Sequence, residues 1–361
     1  MASIYHKPLG PKEMTECLAA TLPPHVDPTK FQLAYGRRAV PKLISELIDE
    51  QLFERQRALV FLSDLFHNPE NIASALHEGI VPKLTRLLGE TDLTVKQKAT
   101  ECMRSLCSHA IGRKSVVDNG TLAKLAKLFD DADPLVRKQT HDIFCRVTSQ
   151  REGSDSCLSF SLLPVLIKKV PTERMDIQVV ILETLYNCIR HGSTPWVPRD
   201  AVNNSALDIF TDLIQIELVT DVKVAACRCI MALCFHAEVK KLAVKNPQTI
   251  PRLMRLLKDI KPEVRAASAG AIMSITIDCD AKRILVRENA VPIFLELIQN
   301  DESQSVLLNV IKCITNCAED YRGRFQLHSA IKKLENIKES SPNQQLREVA
   351  EKAIQVITWR P

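Results

Sequence analysis

The stretch GIVPKLTRLLGETDLTVKQKATECMRSL, residues 79–106, contains the pattern that decides the fold. Its second half places Val95, Ala99, Met103 and Leu106 four, four and three residues apart. That spacing puts the four side chains on one face of a helix. The proline in its first half suits the first turn of another helix, where a missing N–H costs no hydrogen bond. The stretch therefore predicts a helix–turn–helix unit, to which a short leading helix can be added.

The same unit recurs along the chain. Copies of the first half begin at Arg38, Gly79, Asn119, Phe160, Gln248 and Asn289. The central residue of the second half, numbered position 0, is Ala58, Ala99, Thr140, Ile181, Ala226, Ser268, Val310 and Ala350, at spacings of 41, 41, 41, 45, 42, 42 and 40 residues. A unit of this size buries its apolar face only against its neighbours. We therefore predict an all-α, right-handed superhelical solenoid of about eight repeats.

The domain organisation that follows has two parts. Residues 31–361 form the solenoid, and residues 1–30, which contain five prolines, form an N-terminal arm. The arm can cap the first repeat, dock on a partner or remain a mobile tail.

Composition supports a helical repeat protein. The 361 residues are 45% apolar but only 5% aromatic, and only 10 are glycine. A β-propeller of similar period needs strands, glycine-rich turns and aromatic residues. The net charge of +5 comes from Lys and Arg interleaved with acids, so no dense basic stripe predicts nucleic-acid binding. No stretch of about 18 apolar residues predicts a membrane span.

The twelve cysteines predict neither disulfides nor a metal site. Most of them lie inside helical apolar patterns, where Cys acts as a small hydrophobic residue, and no C-x-x-C pair occurs. We expect a disulfide-free intracellular protein. His109, His191 and His236 recur at position +10, and we expect them to cap the C-terminal ends of helices. Equivalent positions on successive repeats are too far apart to share a metal ion.

The repeats resemble the armadillo family, whose units follow the pattern G-[apolar]-[apolar]-P-x-L-x-x-L-L and A-x-x-A-L-x-N-L. The variants DADPLVRKQT at Asp131 and DIKPEVRAAS at Asp259 resemble HEAT repeats. The resemblance implies a protein-binding fold. No nucleotide-binding, metalloprotease or nucleophile-elbow motif occurs, so we expect no enzyme, no cofactor, no metal and no small-molecule substrate.

A narrower resemblance covers the whole order of repeats, the leader KFQLAYGRR from Lys30 and the terminal ITWRP. These are similar to the armadillo-type radial spoke proteins of motile cilia and sperm flagella. The resemblance implies a structural subunit of the axonemal radial spoke, in the cytoplasm and cytoskeleton, with other radial spoke proteins as partners. The alternative is a soluble armadillo adaptor that binds extended peptides for transport or signalling.

The armadillo resemblance also implies a groove lined by positions +2 and +6 of the last helix in each unit. The resulting partner-binding candidates are Glu101, Asp142, Glu183, Asn187, Arg228, Lys312, Asn316 and Lys352. Nuclear-import adaptors carry Trp at +2 and Asn at +6, whereas here +2 has no Trp and only Asn187 and Asn316 match at +6. The +2 residues change from acidic to basic along the chain. This change either orients an elongated partner by charge or is a chance order of solvated residues.

The segment RHGSTPWVPRDAVNNS, residues 190–205, lengthens one spacing to 45 residues. Pro195 and Pro198 forbid a regular helix across it. Trp196 is either an exposed contact for a partner or folds over the neighbouring unit.

Overall fold

The computed structural model describes residues 39–215 and 217–360, and within those residues every regular element is a helix. The all-α repeat fold predicted from the sequence is confirmed. The described residues form two compact units, divided between Leu125 and Ala126. The proposed arm over residues 1–30 lies outside the described residues, and the domain division stays a prediction.

The first unit contains seven described α-helices. They are α1 Ala39–Glu46, α2 Leu52–Leu65, α3 Pro69–His77, α4 Ile80–Leu87, α5 Leu93–Leu106, α6 Ala110–Asp118 and α7 Leu122–Leu125.

The second unit begins with the 3-10 helix Ala126–Asp130 and contains two more, Val170–Thr172 and His328–Ala330. Its α-helices are α8 Pro134–Thr148, α9 Arg151–Ser159, α10 Leu162–Lys169, α11 Met175–His191, α12 Val197–Asn203, α13 Ala206–Asp212, α14 Thr220–Leu233, α15 Ala237–Lys245, α16 Thr249–Leu256, α17 Pro262–Ile275, α18 Cys279–Arg287, α19 Ala290–Asn300, α20 Gln304–Ala318, α21 Tyr321–Leu327, α22 Ile331–Ser340 and α23 Gln344–Thr358.

A typical repeat has a short leading helix, an outer helix that carries the first half of the motif, and a longer inner helix that carries the second half. The inner helices are α2, α5, α8, α11, α14, α17, α20 and α23, one for each predicted repeat. The chain turns into the outer helices through left-handed residues, with φ of +68° at Gly79 and +59° at Asn289. Glycine and asparagine tolerate this conformation better than other residues.

The inner helices pack side by side within each unit and bury the predicted face. On α5, Val95, Ala99, Met103 and Leu106 are all 0% exposed. A thiol at position +3 fixes how neighbouring inner helices align. Cys102 donates from Sγ to Leu59 O over 3.6 Å, Cys229 to Leu182 O over 3.2 Å, and Cys313 to Ala269 O over 3.3 Å. Each bond joins +3 to +1 of the preceding inner helix, so the two helices of each such pair are in the same register.

A basic residue at position −3 closes the turn that precedes its own inner helix. Arg265 donates from one guanidinium nitrogen to Asp259 O (2.8 Å) and Ile260 O (2.9 Å), and its Nε lies 2.6 Å from the Asp301 carboxylate in the turn of the next repeat. The equivalent ion pairs join Arg55 to Glu90 (3.3 Å), Arg137 to Glu173 (3.0 Å) and Lys223 to Asp259 (2.5 Å). We call the amino-terminal ends of the inner helices of the second unit, with the turns before them, the amino-terminal edge.

Candidate binding surface on the inner helices

The predicted groove residues all lie on inner helices. Glu101 belongs to the first unit and the other seven belong to the second. Lys352 is exposed and the remaining candidates are half-buried, whereas Gly270, the +2 residue of α17, is buried. These side chains therefore reach solvent at equivalent points of successive repeats. Their role in binding a partner stays a prediction.

Several of the charged candidates are already paired within the protein. Glu183 and Arg228 form an ion pair of 2.5 Å between α11 and α14, and the Arg228 guanidinium lies 4.4 Å from the Tyr186 ring centroid. Glu101 accepts from Lys98 on its own helix over 2.8 Å. The change of sign at +2 thus coincides with a cross-helix ion pair. Lys312 and Lys352 form no ion pair with another described residue, so these two lysines are more available than Arg228 in the basic part of the row.

The two asparagines at +6 bind the preceding inner helix. Asn187 Nδ2 donates to Cys145 O over 3.2 Å. Asn316 Nδ2 donates to Met273 O over 3.2 Å and to Thr276 Oγ1 over 2.9 Å. Their amide nitrogens therefore align neighbouring repeats, which leaves only the amide oxygens for a partner.

The 190–205 segment is interrupted as predicted. Helix α11 ends at His191, and α12 begins at Val197 with Pro198 in its first turn, where proline is tolerated. The Trp196 side chain is 57% exposed, which favours the first of its two interpretations. The Asp155 carboxylate accepts a hydrogen bond of 2.6 Å from the Ser193 backbone N–H and ties this segment to α9.

The prediction for the recurrent histidines is wrong at two of the three positions. His191 is the last residue of α11, whereas His109 and His236 precede the first residues of α6 and α15. The inner helices α5 and α14 end early, so position +10 already belongs to the start of the next helix. Within the described residues, no group of three His, Cys, Asp or Glu could hold a metal ion.

The sequence reasoning did not single out His141, which is fully buried on α8. Its ring stacks on Phe129 with centroids 4.4 Å apart and planes 4° from parallel, and neither ring nitrogen has a hydrogen-bond partner. Burial, helped by the cations Lys169 and Arg137, lowers the pKa of His141 to about 3. The imidazole is therefore neutral at pH 7 and packs as an aromatic ring.

The sequence also did not reveal the exposed apolar side chains at the carboxyl-terminal ends of α14, α17, α20 and α23. Phe235, Ile277 and Trp359 occupy position +9. In the repeat of α20 the +9 residue is Glu319, and Tyr321 lies two residues after it. These four side chains are 48%, 50%, 56% and 69% exposed, respectively. We call this surface the carboxyl-terminal edge. The sequence contains the +9 row, but only the structure shows that the turns leave it in solvent.

Comparisons with known proteins agree with this architecture. Residues 73–194 match the family described as Cnd1, non-SMC mitotic condensation complex subunit 1. A crystal structure of an engineered protein aligns with a TM-score of 0.80 at 19% identity and covers 89% of this chain and 79% of its own. A designed armadillo repeat protein aligns at 0.60 and 18% identity over 65% of this chain and 99% of its own. Another, solved with the peptide (KR)4, aligns at 0.60 and 20% identity over the same shares.

At these identities the likeness shows the fold, and the fold is an armadillo-like repeat. Repeat folds of this kind are typical of non-catalytic scaffolds that bind other proteins. None of the described helices has the length and apolar character that a membrane span requires.

Proposed function

We propose that this chain is a non-catalytic scaffold that serves as a structural subunit of the axonemal radial spoke in motile cilia and sperm flagella. The observation that carries the scaffold role is the series of six inner helices in the second unit, each of which packs against the next. One partner can therefore contact several repeats at once.

The bonds between repeats suit a lasting assembly. Ion pairs such as Arg265–Asp301 and hydrogen bonds such as Asn316 to Met273 O hold neighbouring inner helices in place. A partner that binds them meets a preorganised surface and loses little affinity to ordering it. The likeness of the repeat order, the leader and the terminal ITWRP to radial spoke proteins supports the axoneme as the location and other spoke proteins as the partners.

Fractionation of motile cilia tests this function. We expect the protein to pellet with demembranated axonemes, to resist extraction by detergent alone and to leave with spoke subunits at high salt. Loss of the protein should leave cilia that assemble but beat weakly or aberrantly. Recovery of all of it in the detergent-soluble fraction would contradict the spoke role and favour the adaptor that binds extended peptides.

A further inference from the structure

The carboxyl-terminal edge carries exposed apolar side chains on four neighbouring repeats of the second unit. Phe235, Ile277, Tyr321 and Trp359 are each about half exposed or more, and Phe325, one turn after Tyr321 on α21, is 82% exposed. Tyrosine and tryptophan are enriched among the residues that dominate protein interfaces. A row of this kind costs solubility unless a partner covers it.

The packing of the inner helices aligns this row. Helices α14, α17, α20 and α23 each pack against the next, and Cys313 and Asn316 bond α20 to α17. The four side chains, at +9 or two residues after it, therefore lie at the same end of helices that pack about 8–10 Å apart. Four repeats make a strip of roughly 24–30 Å, the length of a helix of about 16–20 residues.

The arginines on this edge lie against aromatic rings. The Arg190 guanidinium is 5.2 Å from the Phe235 ring centroid, and that of Arg324 is 4.8 Å from the Trp359 ring. Arg322 is 5.4 Å from the Tyr321 ring. None of these three arginines forms an ion pair with a carboxylate among residues 39–215 and 217–360.

The acids nearby are already engaged. Glu319 pairs with Lys282, and Asp280 pairs with Arg283 over 3.2 Å. Asp278 and Asp320 accept hydrogen bonds from the first backbone N–H groups of α18 and α21. The edge therefore presents three arginines that form no ion pair with a carboxylate among the described residues, with Asp320 acting on Arg322 from beyond ion-pair contact.

Backbone donors of the turns are engaged as well. The N–H groups of Phe235, Asp278 and Asp320 donate to Ala232 O, Ile275 O and Cys317 O. An extended peptide laid across this edge would find these three donors already used. A helix satisfies its backbone internally and needs only side-chain contacts.

We propose that the carboxyl-terminal edge is a docking surface for an acidic amphipathic helix of another protein. Apolar side chains of that helix cover Phe235, Ile277, Tyr321 and Trp359, and its carboxylates meet Arg190, Arg322 and Arg324. The surface lies at the helix ends, apart from the +2 and +6 positions, and its assignment does not depend on the axonemal location.

A synthetic helix of about 20 residues, with one leucine stripe and glutamates elsewhere, probes this surface. Its matched control has the same leucines with lysines in place of the glutamates. We expect the full-length protein to bind the labelled glutamate peptide at least about tenfold more tightly in fluorescence anisotropy. Added salt should weaken the interaction.

Variants locate the binding site. Trp359→Ser and Phe235→Ser should each weaken binding roughly tenfold. Two controls of similar exposure should change it less than about twofold: Trp196→Ser, where the side chain is 57% exposed, and Val219→Ser, at 47%, on the amino-terminal edge. Thermal unfolding of all four variants verifies that each remains folded.

Four results would overturn the proposal. The first is no binding of the glutamate peptide, and the second is equal binding of both peptides. The third is equal losses in edge and control variants. The fourth is that the edge variants abolish self-association, or binding to vesicles of phosphatidylcholine and phosphatidylserine, while peptide binding is unchanged. In that case a second copy of the chain or a membrane covers this edge.

Discussion

The two ends of the inner helices in the second unit differ in how they use their charges. Both ends expose apolar side chains, including Met175, Val219 and Ile260 at the amino-terminal edge. At that edge the basic residues bind carboxylates of the next repeat, whereas at the carboxyl-terminal edge arginines lie over aromatic rings. The amino-terminal edge therefore uses its charges to join neighbouring repeats, whereas the arginines of the carboxyl-terminal edge are available to bind a partner.

The largest expected effect is at the amino-terminal edge. Arg265→Met removes two hydrogen bonds to the turn and leaves the Asp301 carboxylate, whose side chain is 3% exposed, without its cation. We expect the free energy of unfolding in urea to fall by about 3 kcal/mol, because an unpaired buried charge is costly.

Arg283→Met is the matched control at the carboxyl-terminal edge. Its pair with Asp280 is solvated, with side chains 69% and 71% exposed, so its loss should cost less than about 1 kcal/mol. Restoring much of the lost stability with Arg265→Met/Asp301→Leu would assign the effect to the unpaired carboxylate. Equal losses of stability in Arg265→Met and Arg283→Met would contradict the difference between the two edges.

His141 tests how strongly the core of the second unit opposes a positive charge. Its pKa is lowered from 6.5 to about 3 by burial first, and then by Lys169 and Arg137. Below pH 6.5 His141 is protonated in the unfolded chain but stays neutral in the folded chain, so the free energy of unfolding falls as the pH falls. From pH 7 to pH 5 we expect a loss of about 2 kcal/mol in the free energy of unfolding.

The variant His141→Phe keeps a ring on Phe129 and removes the titrating group. It should flatten the stability profile between pH 7 and pH 5, which urea titrations at each pH will measure. Asp92, Asp176 and Asp259, whose pKa values are lowered from 3.8, titrate below this window. The same slope in both proteins would mean that His141 takes up its proton in the folded state.

The smallest effect concerns a polar group near the carboxyl-terminal edge. Asn316→Ala removes hydrogen bonds to Met273 O and Thr276 Oγ1. The free energy of unfolding should decrease by about 1 kcal/mol, since these bonds join two inner helices. Binding of the glutamate peptide should stay within about twofold of wild type. A loss of peptide binding without a loss of stability would indicate that Asn316 contacts the partner, as predicted for the groove.

The repeat pattern made the fold predictable, because the positions that stack are aliphatic or small in most units, with Phe144 and Glu54 as exceptions. The recurrence of Ala99 and its equivalents predicted the number of repeats, and the proline of the outer helix predicted the turn before that helix. The pattern could not show which polar residues are used internally. Asn187 and Asn316 looked like partner contacts, yet their amide nitrogens bind the preceding helix. That outcome depends on the distance between neighbouring helices, which the sequence does not state.

The candidate site was predictable only in part for the same reason. The +2 row follows from the repeat spacing, but the Glu183–Arg228 pair depends on two side chains reaching across helices. The +9 row follows from the same spacing. Its exposure depends on where α14 and α17 end, and helix ends are the least certain feature of a periodic sequence. His109 and His236 were misplaced by that same uncertainty.

Hydroxyl-radical footprinting tests most directly whether the two edges differ in function. The oxidation of each exposed side chain would be compared between the free protein and the protein in its native complex extracted from axonemes. We predict protection of Phe235, Tyr321 and Trp359 in the complex, with Met175 and Ile260 of the amino-terminal edge as reactive as in the free protein. Protection of Met175 and Ile260 while Phe235, Tyr321 and Trp359 remain reactive would contradict the account.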